Sequence, residues 1–362
     1  MRHYSINDRH LQPERIQSIM IHTFELYTIL SGSEARKVLC HLGVPRNEHF
    51  FKGEVQITGI ASMELWRRKN TADWFLKVAV NPARLIYGFE AFETIPIVDA
   101  ILEQVETAFS SAIFEATGLS ELPKMSSWQV ARMDYAVDIR TPYVKEYVKL
   151  AEKGDMGAWL KNGYDATGSC YWKSVSVTAN IYDKQDELFN RKTSTFEMIQ
   201  RGQDILRIEI QCNSSKVSYI RRKEELHSPS LRDYFNWDLA KEILVKYSRS
   251  CFKAGTYYSM EELNRQEHFR NSKSRQKRAL EQMIRAIAQV RSIQNAREQL
   301  AGCGVVLKNV LPRIPVKLSK EQFCRNCSLL ARLNINPVII PRDWKILQLP
   351  SIATLVEQIF QD

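Results

Sequence analysis

A chain of 362 residues with 44% hydrophobic residues can bury one large or two medium cores, which excludes disorder as its main state. Its 51 Lys and Arg against 41 Asp and Glu leave a formal charge of +10 and a pI near 9.2, a balance that favours a polyanionic partner. Seven scattered cysteines argue against a disulfide framework; the N-terminal stretch lacks an apolar leader and no run approaches ~20 apolar residues, so a soluble intracellular protein with no membrane partner is expected.

In chain order, residues 17–30 alternate imperfectly and predict a first strand in which His22 serves packing; a helix follows from Glu34 to Leu42 and stops at Gly43 and Pro45. Strands are predicted at residues 54–60 and 73–80, an antiparallel hairpin whose basic connector holds Trp66-Arg-Arg-Lys69, with a turn at Asn81-Pro82. From Thr94 to Thr117 the apolar residues Ile97, Val98, Ile101, Leu102, Val105, Phe109, Ile113 and Phe114 mark one helical face, with Thr94 as cap and Gly118 as stop. The strand Trp128–Ile139 then places Val130, Arg132, Asp134 and Asp138 on one face. A helix over 143–152, a glycine-rich loop and a strand over 170–182 follow, with Trp172, Ser174, Ser176, Thr178, Asn180 and Tyr182 sharing a face.

Residues 191–202 read as a polar, mobile segment, and 204–212 as a strand with Arg207, Glu209 and Gln211 opposite Leu206, Ile208 and Ile210. Beyond Ser214 helices dominate: 238–248, one opened by Ser259-Met-Glu-Glu262, a long amphipathic one over 274–300, and one from Ser319-Lys-Glu-Gln322 to Leu333. The organisation expected is α+β: a catalytic antiparallel-sheet domain over 1–214, extending as far as about 235, then a mostly helical basic region over 235–362. Cys324-x-x-Cys327 lacks a second Cys or His pair, so two buried thiols in a helix are expected instead of a zinc site.

Three stretches carry candidate chemistry: Ala131-Arg-Met-Asp-Tyr-Ala-Val-Asp138, Asn180-Ile-Tyr-Asp-Lys-Gln-Asp-Glu187 and Leu206-Arg-Ile-Glu-Ile210. They supply Asp134, Glu209, Lys184, Glu187 and Tyr182, types that suit a divalent metal polarising a phosphate while a phenol attacks it. Lys184, two residues after Tyr182 and read as on the same strand face, would stabilise a phenolate or the phosphoryl oxygens. Surface ion pairing of the same acids with Arg132, Arg140 and Arg207 is the competing reading.

The order of these motifs resembles the replication initiators of filamentous bacteriophages, the gene-two protein type, and their plasmid and prophage relatives, which carry an R-(I/L)-D strand, a Y-x-K-x-x-E segment and an R-(F/I)-E strand. The likeness extends to Phe75-Leu-Lys-Val-Ala-Val-Asn-Pro-Ala-Arg-Leu85. It implies a nickase-like α+β fold and a rolling-circle initiator, a strand-specific nicking-closing endonuclease. A tyrosine attacks one strand of double-stranded origin DNA, stays on the 5′ phosphate, leaves a 3′ hydroxyl primer and later religates. On matching positions Tyr182 is the nucleophile and Lys184 its companion, and Asp134, Glu209 and Glu187 hold Mg²⁺ or Mn²⁺. Arg132 and Arg207 lie in the DNA-facing motifs. The partners implied are the origin duplex, the nicked single strand, and a helicase and polymerase of a bacterial host, in whose cytoplasm the protein would work. No histidine-hydrophobic-histidine triplet is present, so carboxylates would have to hold the metal.

Between Arg265 and Arg297 nine Lys or Arg face two acids, and the helix opening at Ser274 carries Arg275, Lys277 and Arg278 as candidate phosphate contacts opposite the stripe Leu280, Met283, Ile284, Ile287, Val290 and Ile293. Two other functions fit the same features: a DNA-binding regulator without cleavage, and an RNA-binding protein that uses its tyrosines for stacking.

Overall fold

A computed structural model describes residues 20–45, 48–154, 161–164, 168–226, 230–308 and 313–361. Two compact units divide the chain discontinuously. The first holds the N-terminal part to Arg140 with Ser174–Asn180 and Lys184–Leu244; the second holds Thr141–Lys173, Ile181–Asp183 and everything from Val245.

The first unit is built on antiparallel ladders: β1 (Met20–Leu30), β2 (Phe50–Gly53), β3 (Ile60–Arg67), β4 (Trp74–Val80), β5 (Ile95–Pro96), β6 (Gln129–Arg140), then β9 (Val177–Asp183), whose last three residues are counted in the second unit, and β10 (Ile205–Cys212). Their order is β2-β3-β4-β1-β6-β10-β9, with β5 added beside β1, and β7 (Lys161–Tyr164) pairs β8 (Ser169–Lys173) in the second unit. Period-2 alternation decides the buried face: Trp74, Leu76, Val78 and Val80 of β4 are buried while Phe75, Lys77 and Ala79 are half-buried.

Helices of the first unit are α1 (Gly32–His41), α2 (Pro82–Tyr87), α3 (Asp99–Thr117), α5 (Lys184–Asn190), α6 (Phe196–Arg201), α7 (Ser214–Lys223) and α8 (Leu231–Tyr234). Ser31 and Glu34 form a capping box at the start of α1, which buries Ala35, Val38 and Leu39. Asn81 caps α2 by accepting from the Arg84 amide, with Pro82 in the first turn, so the predicted turn there opens a helix. The second unit holds α4 (Val144–Ala151), α10 (Met260–Leu263), α11 (Glu267–Arg270), α12 (Ser274–Val290), α13 (Ile293–Ala301), α14 (Lys320–Arg332) and α15 (Ile352–Gln358). It also has the short pairs β11 (Thr256–Tyr258) with β14 (Gln348–Pro350) and β12 (Val305–Val306) with β13 (Pro315–Val316); α9 (Trp237–Phe252) is shared, passing from one unit to the other after Leu244. Within the second unit Trp172 packs edge-on against Phe252 at 5.0 Å, and buried Asn336 donates to the Phe252 carbonyl at 3.0 Å.

The α+β class with a large antiparallel sheet is as expected, and several element boundaries are not. The strand predicted at 54–60 is a turn: Gly59 has φ +88, and a Cβ there would stand 2.6 Å from Leu85 Cα, so the chain reverses and the strand runs over Ile60–Arg67, taking in Trp66. Helix α3 starts five residues after Thr94, at Asp99, because Ile95-Pro96 pairs with β1; Val98 and Phe114 are therefore exposed. The strand predicted over 170–182 is broken at 174–176, where the Ser174 hydroxyl accepts from the Val177 amide and the Ser174 amide donates to the Val177 carbonyl, so Trp172 and Tyr182 do not share one strand face. Residues 191–202 contain α6, capped by Thr195. The helix predicted over 274–300 is two, because Arg291 turns left-handed (φ 59) and Ser292 caps a new start. Cys324 is exposed and Cys327 half-exposed, so these thiols are not buried.

Candidate active site

The face of the first unit's sheet that carries charge is assembled from three adjacent strands. Along β6, Arg132, Asp134 and Asp138 project to this side; along β10, Arg207, Glu209 and Gln211 do. The β10/β6 register sets Arg207 opposite Asp138, Glu209 opposite Ala136 and Gln211 opposite Asp134, which places Asp134 and Glu209 diagonally on neighbouring strands. Two irregularities of the β1/β6 ladder re-aim side chains. One falls at His22, so His22 and Thr23 both reach the charged face; the other falls at Ala131 and turns Val130 to the buried side, against the alternation expected of it.

Asp134 is fully buried and accepts from Arg132 Nε at 3.1 Å and from the Thr23 hydroxyl, while the Arg132 Nη1 group donates to Glu25 at 2.6 Å. Glu209 accepts from Gln211 at 2.7 Å and lies 3.1 Å from His22 Nδ1, so His22, expected only to pack, is part of the site. Its sequence signal is the adjacent polar pair His22-Thr23, which breaks the alternation of β1.

Burial pushes the Asp134 carboxyl up, the nearby Glu209 charge adds to this, and Arg132 and Thr23 only partly oppose them, so Asp134 titrates at about 7. Burial also works against ionised Glu209, but His22, Gln211 and Arg207 outweigh it and hold its carboxyl well below the usual range. Burial lowers the His22 imidazole, and Glu209 restores only part of the loss. Burial and the Glu209 charge thus favour the neutral form of Asp134, while His22, Gln211 and Arg207 favour the ionised form of Glu209.

Lys184 does not share a strand face with Tyr182: β9 ends at Asp183 and Lys184 opens α5. It is fully buried, its Nζ lies 2.7 Å from Glu187 and 5.6 Å above the Phe92 ring, and Phe92 joins Leu188, Met198 and Ile205 in an apolar cluster. Burial, reinforced by the Arg207 charge and opposed by Glu187, brings this ammonium down to about 7. Tyr182 is 8% exposed and belongs to the Ile181–Asp183 segment of the second unit. Tyr135, inside the first of the three motifs, donates its buried hydroxyl to the Tyr234 carbonyl at 2.7 Å, and burial pushes its pKa well up.

The three carboxylates expected to hold a metal do not stand together. Glu187 on α5 has one oxygen on Lys184 and the other on Arg191, at 2.7 and 2.5 Å. Among the described residues no group of three or more His, Cys, Asp or Glu is placed to hold an ion. Asp134 and Glu209, diagonal neighbours on β6 and β10, are the two acids whose hard oxygen donors would suit Mg²⁺, which is commonly held by one or two carboxylates with phosphate and water completing its shell.

Of the arginines expected to meet DNA, Arg132 is half-buried, with 27% of its side chain exposed, whereas Arg207 has no exposed surface. Arg207 grips both oxygens of Asp138, at 2.6 and 2.7 Å, and donates to the Phe92 carbonyl at 3.1 Å, so it serves the sheet. On α12, Arg275 and Arg278 are exposed and Lys277 half-exposed, opposite buried Leu280, Met283, Ile284 and Ile287. The second unit adds a charged cavity of about 990 Å³ that the sequence reading missed. Lys149, Lys153, Arg291, Arg342 and Lys345 line it together with Glu152, Glu261 and Asp343, and Trp344 stands about 6 Å from the Lys149 and Lys153 ammonium groups. Its trace in the sequence is the cluster Arg342-Asp-Trp-Lys345. No helix among the described residues is long and apolar enough to cross a membrane. The sequence matches no protein-family model and no curated protein.

Proposed function

We propose that the chain is a rolling-circle replication initiator that nicks one strand of origin DNA through Tyr182 and religates it by the reverse reaction. The observation that carries this reading is the buried Asp134–Glu209 pair on one sheet face, together with a buried lysine of lowered pKa two residues after a tyrosine. In this mechanism the Tyr182 oxygen attacks a backbone phosphorus and Lys184, neutral above about pH 7, takes the phenol proton. The bond from phosphorus to the 3′ oxygen breaks. The protein remains on the 5′ phosphate and the 3′ oxygen, protonated from solvent, becomes a primer end. Mg²⁺ or Mn²⁺, on Asp134 and Glu209, would supply positive charge for the phosphoryl oxygens. Arg132 fixes the Asp134 carboxylate, and Gln211 and His22 fix that of Glu209. Exposed Arg275 and Arg278 with Lys277 would follow the duplex backbone, and the displaced strand would pass to a helicase and polymerase of a bacterial host.

A second reading, a DNA-binding regulator without cleavage, is favoured by one observation: Asp134 is already engaged by Arg132 and Thr23 within the protein. Supercoiled plasmids carrying fragments of the DNA element that encodes the chain separate the two. Incubated with Mg²⁺, conversion to open circles with protein on a 5′ end supports the initiator, retardation without cleavage supports the regulator, and preference for RNA contradicts both.

A further inference from the structure

The charged face of the first unit's sheet is interrupted by three aromatic rings that its core does not need. Tyr27 of β1, Trp66 of β3 and Phe75 of β4 are all half-exposed, while the neighbours Leu26, Leu65 and Leu76 are fully buried. Trp66 and Phe75 are cross-strand partners whose rings lie 5.6 Å apart at 16°, and Tyr27 stands 6.0 Å from Phe75, its hydroxyl held by Gln129. These rings wall a cavity of about 450 Å³, within the usual size range of small-molecule pockets.

The rest of its lining narrows the ligand. Lys77 sits 3.2 Å from Glu25 and 3.1 Å from Glu64, and Arg132 sits 2.6 Å from Glu25, so the charges cancel while donors and acceptors both remain. Asn213 adds an amide that can do either. A flat wall, near-neutral charge and a mixed hydrogen-bonding edge suit a flat, neutral heterocycle that both donates and accepts. A nucleobase has that chemistry, and it must be unpaired, because base pairing would occupy the edge that Glu25, Arg132 and Asn213 address. Arg132 also ties the cavity to the acid pair, since the guanidinium that lines it reaches Asp134 as well as Glu25.

We infer that this cavity is a binding site for an unpaired base of single-stranded DNA, held on Tyr27, Trp66 and Phe75 one side chain away from Asp134. That the base neighbours the phosphate to be cut rests on the function proposed above; the base site itself does not.

The test uses the full chain with Tyr182→Phe, which removes cleavage under that proposal, and labelled single-stranded homopolymer oligonucleotides read by fluorescence anisotropy. Trp66→Leu and Phe75→Leu are expected to weaken binding by about 5- to 150-fold, as loss of one stacking platform does, while Trp66→Phe keeps a ring and retains most of the affinity. Hydrogen exchange of the β3 and β4 amides shows whether each variant is folded. Unchanged affinity in folded Trp66→Leu and Phe75→Leu overturns the base site, as does an equal loss in Trp66→Phe. An abasic oligonucleotide binding as tightly as the homopolymer also overturns it, because the phosphates alone would then account for binding. If the unmodified chain never nicks DNA yet the ring-dependent binding is found, the initiator reading fails and the base site stands; nicking without ring-dependent binding gives the converse.

Discussion

Arg207 and Asp138 form a doubly bonded ion pair between β10 and β6, with the arginine fully buried and the acid in direct register. Burial pushes Asp138 up, but Arg207 outweighs it and keeps the carboxyl ionised below its ordinary range. Arg207→Met keeps much of the side chain's volume and leaves that carboxylate without its main partner. Removing one member of a buried pair costs about 3–5 kcal/mol, mostly because the other charge stays buried. Local stability is read by native-state hydrogen exchange of the β6 and β10 amides, whose protection should fall by roughly 10²- to 10⁴-fold. The double variant Arg207→Met/Asp138→Leu should recover most of the loss, since an apolar pair replaces the ionic one. A loss under about 1 kcal/mol, or no recovery in the double variant, would show that the pair does not hold β10 to β6, and Arg207→Met folding normally while losing DNA affinity would return Arg207 to the DNA contacts.

Replacing Arg275, Lys277 and Arg278 together with Ala should weaken DNA binding and reduce the slope of log affinity against log salt by about 2.7, three phosphate contacts at ~0.9 each; an unchanged slope would show that this face of α12 is only solvated. Lys184 should make stability rise with pH. Its folded pKa, about 7, lies below the unfolded value of 10.5, so the unfolded chain binds more protons between them, and urea unfolding of Lys184→Met should lose that part of the slope. Nicking by the unmodified protein should rise through the same value, because only the neutral amine accepts the phenol proton; a rate that falls as pH passes 7 contradicts this role. Asp134→Asn and Glu209→Gln should raise the Mg²⁺ concentration needed for half-maximal nicking and slow the reaction, and equal metal dependence in both variants and the parent would remove the pair from metal binding.

The sheet was largely legible because its strands alternate over long runs: β4, β6 and β10 lie where their period-2 patterns put them. The juxtaposition of Asp134 with Glu209 follows from two such strands pairing in register. What was hidden depends on single residues that break a pattern. Gly59 and the Ser174 hydroxyl reverse the chain inside stretches that read as continuous strand, and Arg291 in a left-handed conformation splits one amphipathic run into two helices. Alternation alone assigns His22 to packing, whereas an irregular ladder, which alternation cannot express, turns it to the acid pair. The exposed-looking Arg207 is buried for a reason invisible in one strand, since Asp138 lies on another. The spacing of Lys184 from Tyr182 fits one strand face, but the strand ends at Asp183 and the helix begins at once.

Nicking through Tyr182 leaves a covalent protein–DNA intermediate that can be isolated. The full chain, incubated with Mg²⁺ and intact supercoiled origin DNA, is digested with protease and nuclease, and its peptides are read by mass spectrometry. A nucleotide joined through its 5′ phosphate to the peptide containing Tyr182 is expected from the unmodified protein and absent in Tyr182→Phe, although that variant still binds DNA. An adduct on another residue, or one that persists in Tyr182→Phe, would contradict it.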